Sequence, residues 1–170
     1  RGQLRLGKAT METCPTYNML KLTRHLYALN PGKIRYMDYY ERALYNHILA
    51  SQEPTKGMMT YLFSTEPGFF NTYSTPEDAF WCCVGTGMEN HVKYNESIYF
   101  HNQDTLYVLL FIPSELTWKE KALKLRQETD FPYNNKVRIE LYPELENQFL
   151  TLKIRHPSWA QGKLSVTLNG

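Results

Sequence analysis

Two short clusters hold the residues best suited to chemistry. Glu12-Thr13-Cys14 stands immediately ahead of the first helical pattern, and Trp81-Cys82-Cys83-Val84-Gly85-Thr86-Gly87 stands ahead of the third. In an extended segment residues i and i+2 face the same side, so Glu12 and Cys14 are expected to aim at one point. Adjacent cysteines normally diverge. Gly85 and Gly87 supply the backbone freedom for a bend that would bring both sulfurs together. Three thiolates and one carboxylate then make a four-coordinate shell, because Zn²⁺ accepts Cys sulfur and Asp or Glu oxygen in tetrahedral geometry.

Residue types and spacing leave other readings open. Free cysteine is among the most buried residue types and often simply fills core. An adjacent pair also raises redox chemistry, although vicinal disulfides are strained and the Cys-x-x-Cys spacing of thiol oxidoreductases is absent. Glu12 alone reads as a solvated carboxylate placed well against a helix macrodipole. Three cysteines cannot all pair within one chain.

The elements that must position these clusters change period halfway along the chain. Thr13 to Asn30 reads as a helix, with Pro15 early, Met19, Leu22, Leu26 and Leu29 as its apolar stripe, and Asn30-Pro31-Gly32 as its stop. Ile34 to Gln52 reads as a second helix, with Tyr36, Tyr40, Ala43, Leu44, His47 and Ile48 on one face. Met58 to Ser64 suits a short strand, Thr65 to Asp78 a long loop, and Thr86 to about Glu96 a third helix. After Ser97 the period becomes two. Strands are expected at Ile98–Phe100, Thr105–Ile112, Ala122–Thr129, Val137–Leu141, Phe149–Arg155 and Lys163–Leu168. Turn signals fall at Asn102-Gln103-Asp104, Asn134-Asn135 and Glu146-Asn147. Helices first and antiparallel strands afterwards predict an α+β chain in separate layers. Asn169-Gly170 is a hairpin turn signal with no strand after it, so truncation inside a β-domain is expected.

Composition narrows the classes further. The chain has 170 residues, 42% hydrophobic and 21% charged, enough apolar material for a packed core rather than disorder. A formal charge of +2 gives no field for nucleic acid or anionic membrane. The longest apolar run, Leu106 to Pro113, falls far short of the roughly 18 residues of a membrane span. Arg1-Gly2-Gln3-Leu4 lacks the apolar core of a signal peptide. With 13 Tyr, 8 Phe and 3 Trp, aromatic residues reach 14%, which suits ordinary packing and sugar-facing clefts alike.

Three longer strings add what spacing leaves open. Glu12-Thr13-Cys14-Pro15-Thr16-Tyr17-Asn18-Met19-Leu20-Lys21-Leu22-Thr23-Arg24, Asp38-Tyr39-Tyr40-Glu41-Arg42-Ala43-Leu44-Tyr45-Asn46 and Phe80-Trp81-Cys82-Cys83-Val84-Gly85-Thr86-Gly87-Met88-Glu89-Asn90-His91 resemble the β-L-arabinofuranosidase superfamily, glycoside hydrolase families 127 and 146. The resemblance implies a fragment: the last helices of an (α/α)₆ barrel over residues 1–97, then a partial antiparallel β-sandwich over 98–170. It implies a zinc shell on Glu12, Cys14, Cys82 and Cys83, with Cys82 as the nucleophile of a retaining hydrolase. The implied substrate is a plant-derived glycan with terminal β-L-arabinofuranosyl or related pentosyl linkages. The family's acid/base glutamate precedes the Glu-x-Cys motif, where this chain has eleven residues and none is acidic. The fragment alone is therefore expected to be inactive. The alternative is a zinc-stabilised structural or carbohydrate-binding module without turnover. Val84-Gly85-Thr86-Gly87 after the cysteine pair, in place of Pro-Pro, is closer to the family 146 side.

Other side chains enter as candidates beside bland readings. His91 and Trp81 are candidate sugar contacts, and equally a satisfied helix histidine and a core aromatic. Tyr73 shares the second pair of readings. Glu89 reads as a hydrogen-bond partner rather than an acid. His25, His47, His101 and His156 read as structural or surface residues. Cutting a barrel open is expected to expose apolar surface and to drive self-association.

Overall fold

The computed structural model describes residues 7–146 and 149–169, grouped in two compact units, Arg1–Tyr94 and Asn95–Gly170. The Arg1-Gly2-Gln3-Leu4 start, part of the Glu146-Asn147 turn and the last residue of Asn169-Gly170 lie outside the described residues. The chain is α+β, helical in the first unit and dominated by strands in the second.

In the first unit, a two-residue strand β1 (Met11–Glu12) runs directly into helix α1 (Thr13–Leu29). β1 pairs antiparallel with β2 (Leu62–Phe63), matching Met11 to Phe63 and Glu12 to Leu62. Pro15 lies in the first turn of α1, where its missing N–H costs nothing. Asn30 ends the helix with its N–H returned to the carbonyls of Leu26 and Tyr27.

The buried face of α1 corrects the stripe expected from sequence. Cys14, Tyr17, Leu20, Thr23 and Tyr27 are buried, whereas Met19, Leu22 and Leu29 are 44%, 47% and 84% exposed. Counting aliphatics selected the wrong face, because two tyrosines bury more area than the leucines opposite them.

The second expected helix is three pieces. Helix α2 (Arg35–Ala43) passes into a π turn over Leu44–Ile48 and a 3₁₀ turn over Leu49–Ser51. Its inner face holds Met37, Tyr40, Glu41, Leu44, His47 and Ile48. The wider turn seats buried His47 with its ring edge on Phe63, centroids 4.9 Å apart, and in hydrogen-bonding reach of the Met11 backbone. Helix α3 (Cys82–Asn90) starts four residues before its expected beginning, so both cysteines belong to its first turn.

In the second unit, β3 (Tyr99–His101) and β4 (Thr105–Val108) pair antiparallel. β5 (Ser114–Trp118), β6 (Leu123–Thr129) and β7 (Val137–Pro143) form a second antiparallel sheet. β8 (Thr151–Ile154) departs from the antiparallel expectation by joining β4 in parallel. The segment between β4 and β8 is long enough for the crossover that a parallel pair needs.

Leu106, Trp118, Leu123 and Leu125 form one cluster that draws on both sheets, with Tyr99, Leu116, Ile139 and Leu152 against it. β4 stops at Val108 although the apolar run continues. Side chains take the next carbonyls: Arg155 Nε donates to Leu109 O at 2.6 Å, and Gln127 Nε2 to Leu110 O and Ile112 O at 3.1 and 2.7 Å. Lys163–Leu168, expected as a strand, is irregular. Leu164, Val166 and Leu168 are exposed there, and alternation alone makes no strand without a neighbour to pair with.

Candidate metal centre

Two helix starts meet. Cys14 is the second residue of α1, and Cys82 and Cys83 are the first two of α3. First-turn N–H groups and the macrodipole favour negative charge at such positions, which suits thiolates. Glu12 precedes α1 in extended conformation, and its side chain does not cap the helix, so the carboxylate is free to face the sulfurs.

Geometry confirms the meeting and corrects its cause. Cys14 Sγ lies 3.2 Å from Cys83 Sγ, Cys82 Sγ lies 3.9 Å from Cys83 Sγ, and Cys82 Sγ lies 3.9 Å from Glu12 Oε1. All four ligand atoms fall within 4.8 Å of one another. Glu12 and Cys14 meet at a strand-to-helix junction, not along one face of an extended segment. Nor do the glycines bend a loop, since Gly85 and Gly87 are helical. Gly87 serves close packing: a Cβ there would lie 2.7 Å from Met59 Cγ and Sδ.

One carbonyl lies beside both helix starts. Tyr61 O accepts from Thr13 N at 3.2 Å, and Cys83 Sγ approaches the same oxygen at 3.8 Å. Thr13 Oγ1 adds a bond to Thr60 O at 3.3 Å. The Thr60–Tyr61 backbone is thereby fixed to the β1–α1 junction and lies beside the start of α3.

The donor set fits a tetrahedral metal ion. With Zn–S near about 2.3 Å, tetrahedral sulfurs stand about 3.8 Å apart; the Cys82–Cys83 spacing of 3.9 Å matches this and the Cys14–Cys83 spacing of 3.2 Å is shorter. Burial pushes the Cys14 thiol up to about 12, while its hydrogen bond with Thr86 works the other way. Cys14 and Cys83 are buried, and Cys82 is exposed.

Tyr61 is a neighbour that sequence reasoning missed. The Cys82 sulfur beside it, with the Glu12 charge, pushes its phenol up to about 12. Its ring meets the Trp81 ring edge-on, centroids 6.0 Å apart. Trp81 Nε1 is buried without a partner among the described residues. His91 lies past the opposite end of α3, roughly 13 Å along the axis from Cys82 at about 1.5 Å per residue. Its Nδ1 is hydrogen-bonded to the Tyr94 hydroxyl, and burial lowers its pKa. Glu89 Oε1 accepts from the Tyr17 hydroxyl at 2.8 Å and stands 3.7 Å from Lys21 Nζ. Tyr73 pairs its backbone with Thr60. The sequence signal available for Tyr61 is the aromatic excess, which is too diffuse to single out one ring.

Helix starts that gather three sulfurs and a carboxylate on an α+β scaffold define a Cys₃Glu candidate metal centre. Residues 3–96 match the family described as Beta-L-arabinofuranosidase, GH127 catalytic domain, and residues 105–170 match the GH127 middle domain. The chain belongs to the GH127 β-L-arabinofuranosidase family. Among solved structures it is similar to Ara127N, a GH127 β-L-arabinofuranosidase from Geobacillus stearothermophilus T6, at 24% identity and TM-score 0.73 over 89% of this chain. It is also similar to the GH127 β-arabinofuranosidase BT3674, at 25% identity and TM-score 0.70 over 93% of this chain. The chain spans 25% of the length of each. No curated protein matches it.

Proposed function

We propose that this chain carries the nucleophile and zinc site of a retaining glycoside hydrolase that cleaves terminal β-L-arabinofuranosyl, or related plant pentosyl, linkages. The observation that carries this reading is the Cys₃Glu cluster with one exposed sulfur, Cys82. Residues 1–97 are read as the last helices of an (α/α)₆ barrel and 98–170 as part of a β-sandwich.

Glu12, Cys14, Cys82 and Cys83 would hold the zinc ion, and when bound it keeps thiols as thiolates near neutral pH. In this reading a lone pair of Cys82 Sγ attacks the anomeric carbon. A C–S bond forms, the glycosidic C–O bond breaks, and its electron pair leaves on the departing oxygen, which takes a proton from an acid. Water then attacks the thioglycosyl carbon, gives up a proton, and returns the thiolate with net retention. Sulfur here takes the place of one of the two carboxylates that retaining glycosidases ordinarily use. The fixed sulfur spacing orients the attack. Trp81, next to Cys82, and His91, one helix length away, stand as sugar-contact candidates. The proton donor belongs to chain outside these residues, so hydrolysis is assigned to the longer protein.

Turnover of an aryl β-L-arabinofuranoside by the full-length polypeptide and its Cys82→Ser variant tests the reading. Activity is expected to vanish in the variant, and equal rates would remove Cys82 as nucleophile. Zinc-dependent turnover by residues 1–170 alone would remove the assignment of the acid to other parts of the protein.

A further inference from the structure

Besides the Tyr61 phenol next to Cys82, the Thr86 hydroxyl reaches the sulfur cluster, on its Cys14 side. Thr86 follows Cys82 by four residues and Cys83 by three, so it shares their face of α3. Its Oγ1 lies 3.2 Å from Cys14 Sγ, across the gap between the two helices. The same oxygen lies 3.4 Å from both the Cys82 and the Cys83 carbonyl oxygens.

These contacts compete for a single proton. A threonine hydroxyl has one O–H to donate and two lone pairs to accept with. Hydrogen bonds between hydroxyls and oxygen are best near about 2.7–2.8 Å, so both carbonyl contacts are long and weak. They hold the proton loosely, in the back-bonding habit of helical threonine. A ligating cysteine carries no proton and is acceptor only. Whenever Cys14 is a metal ligand, Thr86 is therefore the donor of that pair. Cys14 is buried, which denies it the solvent donors open to Cys82.

We propose that Thr86 is a positioning residue of the metal centre, whose hydroxyl donates to the Cys14 sulfur and fixes its direction. This rests on reading Glu12, Cys14, Cys82 and Cys83 as a metal site. Hydrogen bonds of this outer kind orient ligands and tune the metal, and losing one typically costs about 10–100-fold in affinity.

The test uses the full-length polypeptide, with zinc affinity measured by chelator competition and the cobalt(II) form followed by its thiolate-to-metal charge-transfer absorption. Thr86→Val keeps the shape and removes the hydroxyl. It is expected to weaken zinc binding by about 10–100-fold and to shift the cobalt charge-transfer bands. Thr86→Ser is expected to restore both. Unchanged affinity and spectrum in Thr86→Val would overturn the role of Thr86. Where Thr86→Val does not fold, Thr86→Ala against Thr86→Ser gives the same comparison, and equal affinities there overturn it as well. A wild-type protein that binds neither metal defeats the metal site itself, a result distinct from the failure of Thr86.

Discussion

The two units are built on different principles. In Asn95–Gly170 the strands follow a period-two pattern, and Leu106, Trp118, Leu123 and Leu125 share one apolar cluster. In Arg1–Tyr94 the decisive geometry comes from single contacts: a two-residue strand, one shared carbonyl at Tyr61, and a glycine against Met59. Regular pattern makes a stable sheet, but bringing four ligand atoms from Glu12–Cys14 and Cys82–Cys83 together takes individual fits. Stability and site geometry should therefore respond to different substitutions.

The largest separation is expected at a ligand. Cys83→Ala should lower zinc affinity by more than the roughly 100-fold ceiling of an outer-shell change, measured by chelator competition. Retention of wild-type affinity would dissolve the contrast between the units. Next comes the sheet core. Leu125→Ala should cost about 2–5 kcal/mol in chemical unfolding of the second unit. Its zinc affinity should stay at the wild-type value, and a parallel fall in affinity would mean the units are not energetically separate.

Gly87→Ala sharpens the same comparison at smaller scale. The added methyl overlaps the Met59 side chain and should cost about 1–3 kcal/mol of overpacking in the second half of α3. Met59→Ala in the same chain should relieve it, and a Gly87→Ala protein as stable as wild type would show that the close approach is unimportant. Acid gives the smallest effect. Burial lowers the pKa of His47 and of His91 from 6.5, so below that pH the unfolded chain binds more protons than the folded one. Stability present above pH 6.5 should decline as pH falls, and thermal melts of a His47→Gln, His91→Gln double variant should decline less. Identical acid-side loss in both proteins would discard the two histidines as its source.

What was legible in the sequence divides along the same line. β6 and β7 were readable because Leu123, Leu125 and Gln127 alternate with charged residues and pair along their whole length. The four clustered residues, Glu12, Cys14, Cys82 and Cys83, could be picked out from type and from resemblance, but the manner of their meeting could not. Nothing in local spacing says that Cys82 and Cys83 open a helix, because the backbone they meet, at Tyr61, lies more than twenty residues earlier. The π turn that seats His47 was invisible for a similar reason: its partners are Met11 and Phe63. The aliphatic stripe of α1 misled because an exposed leucine and a buried one leave the same mark in a period count. Met19, Leu22 and Leu29 are exposed on α1.

The central claim is that three sulfurs and one carboxylate hold a single metal ion. X-ray absorption at the zinc edge of the loaded full-length polypeptide measures this directly. The account predicts three sulfur neighbours near about 2.3 Å and one oxygen near about 2.0–2.2 Å at one zinc per chain. A zinc ion surrounded only by nitrogen and oxygen, or bound with all three thiols still titratable, would contradict it.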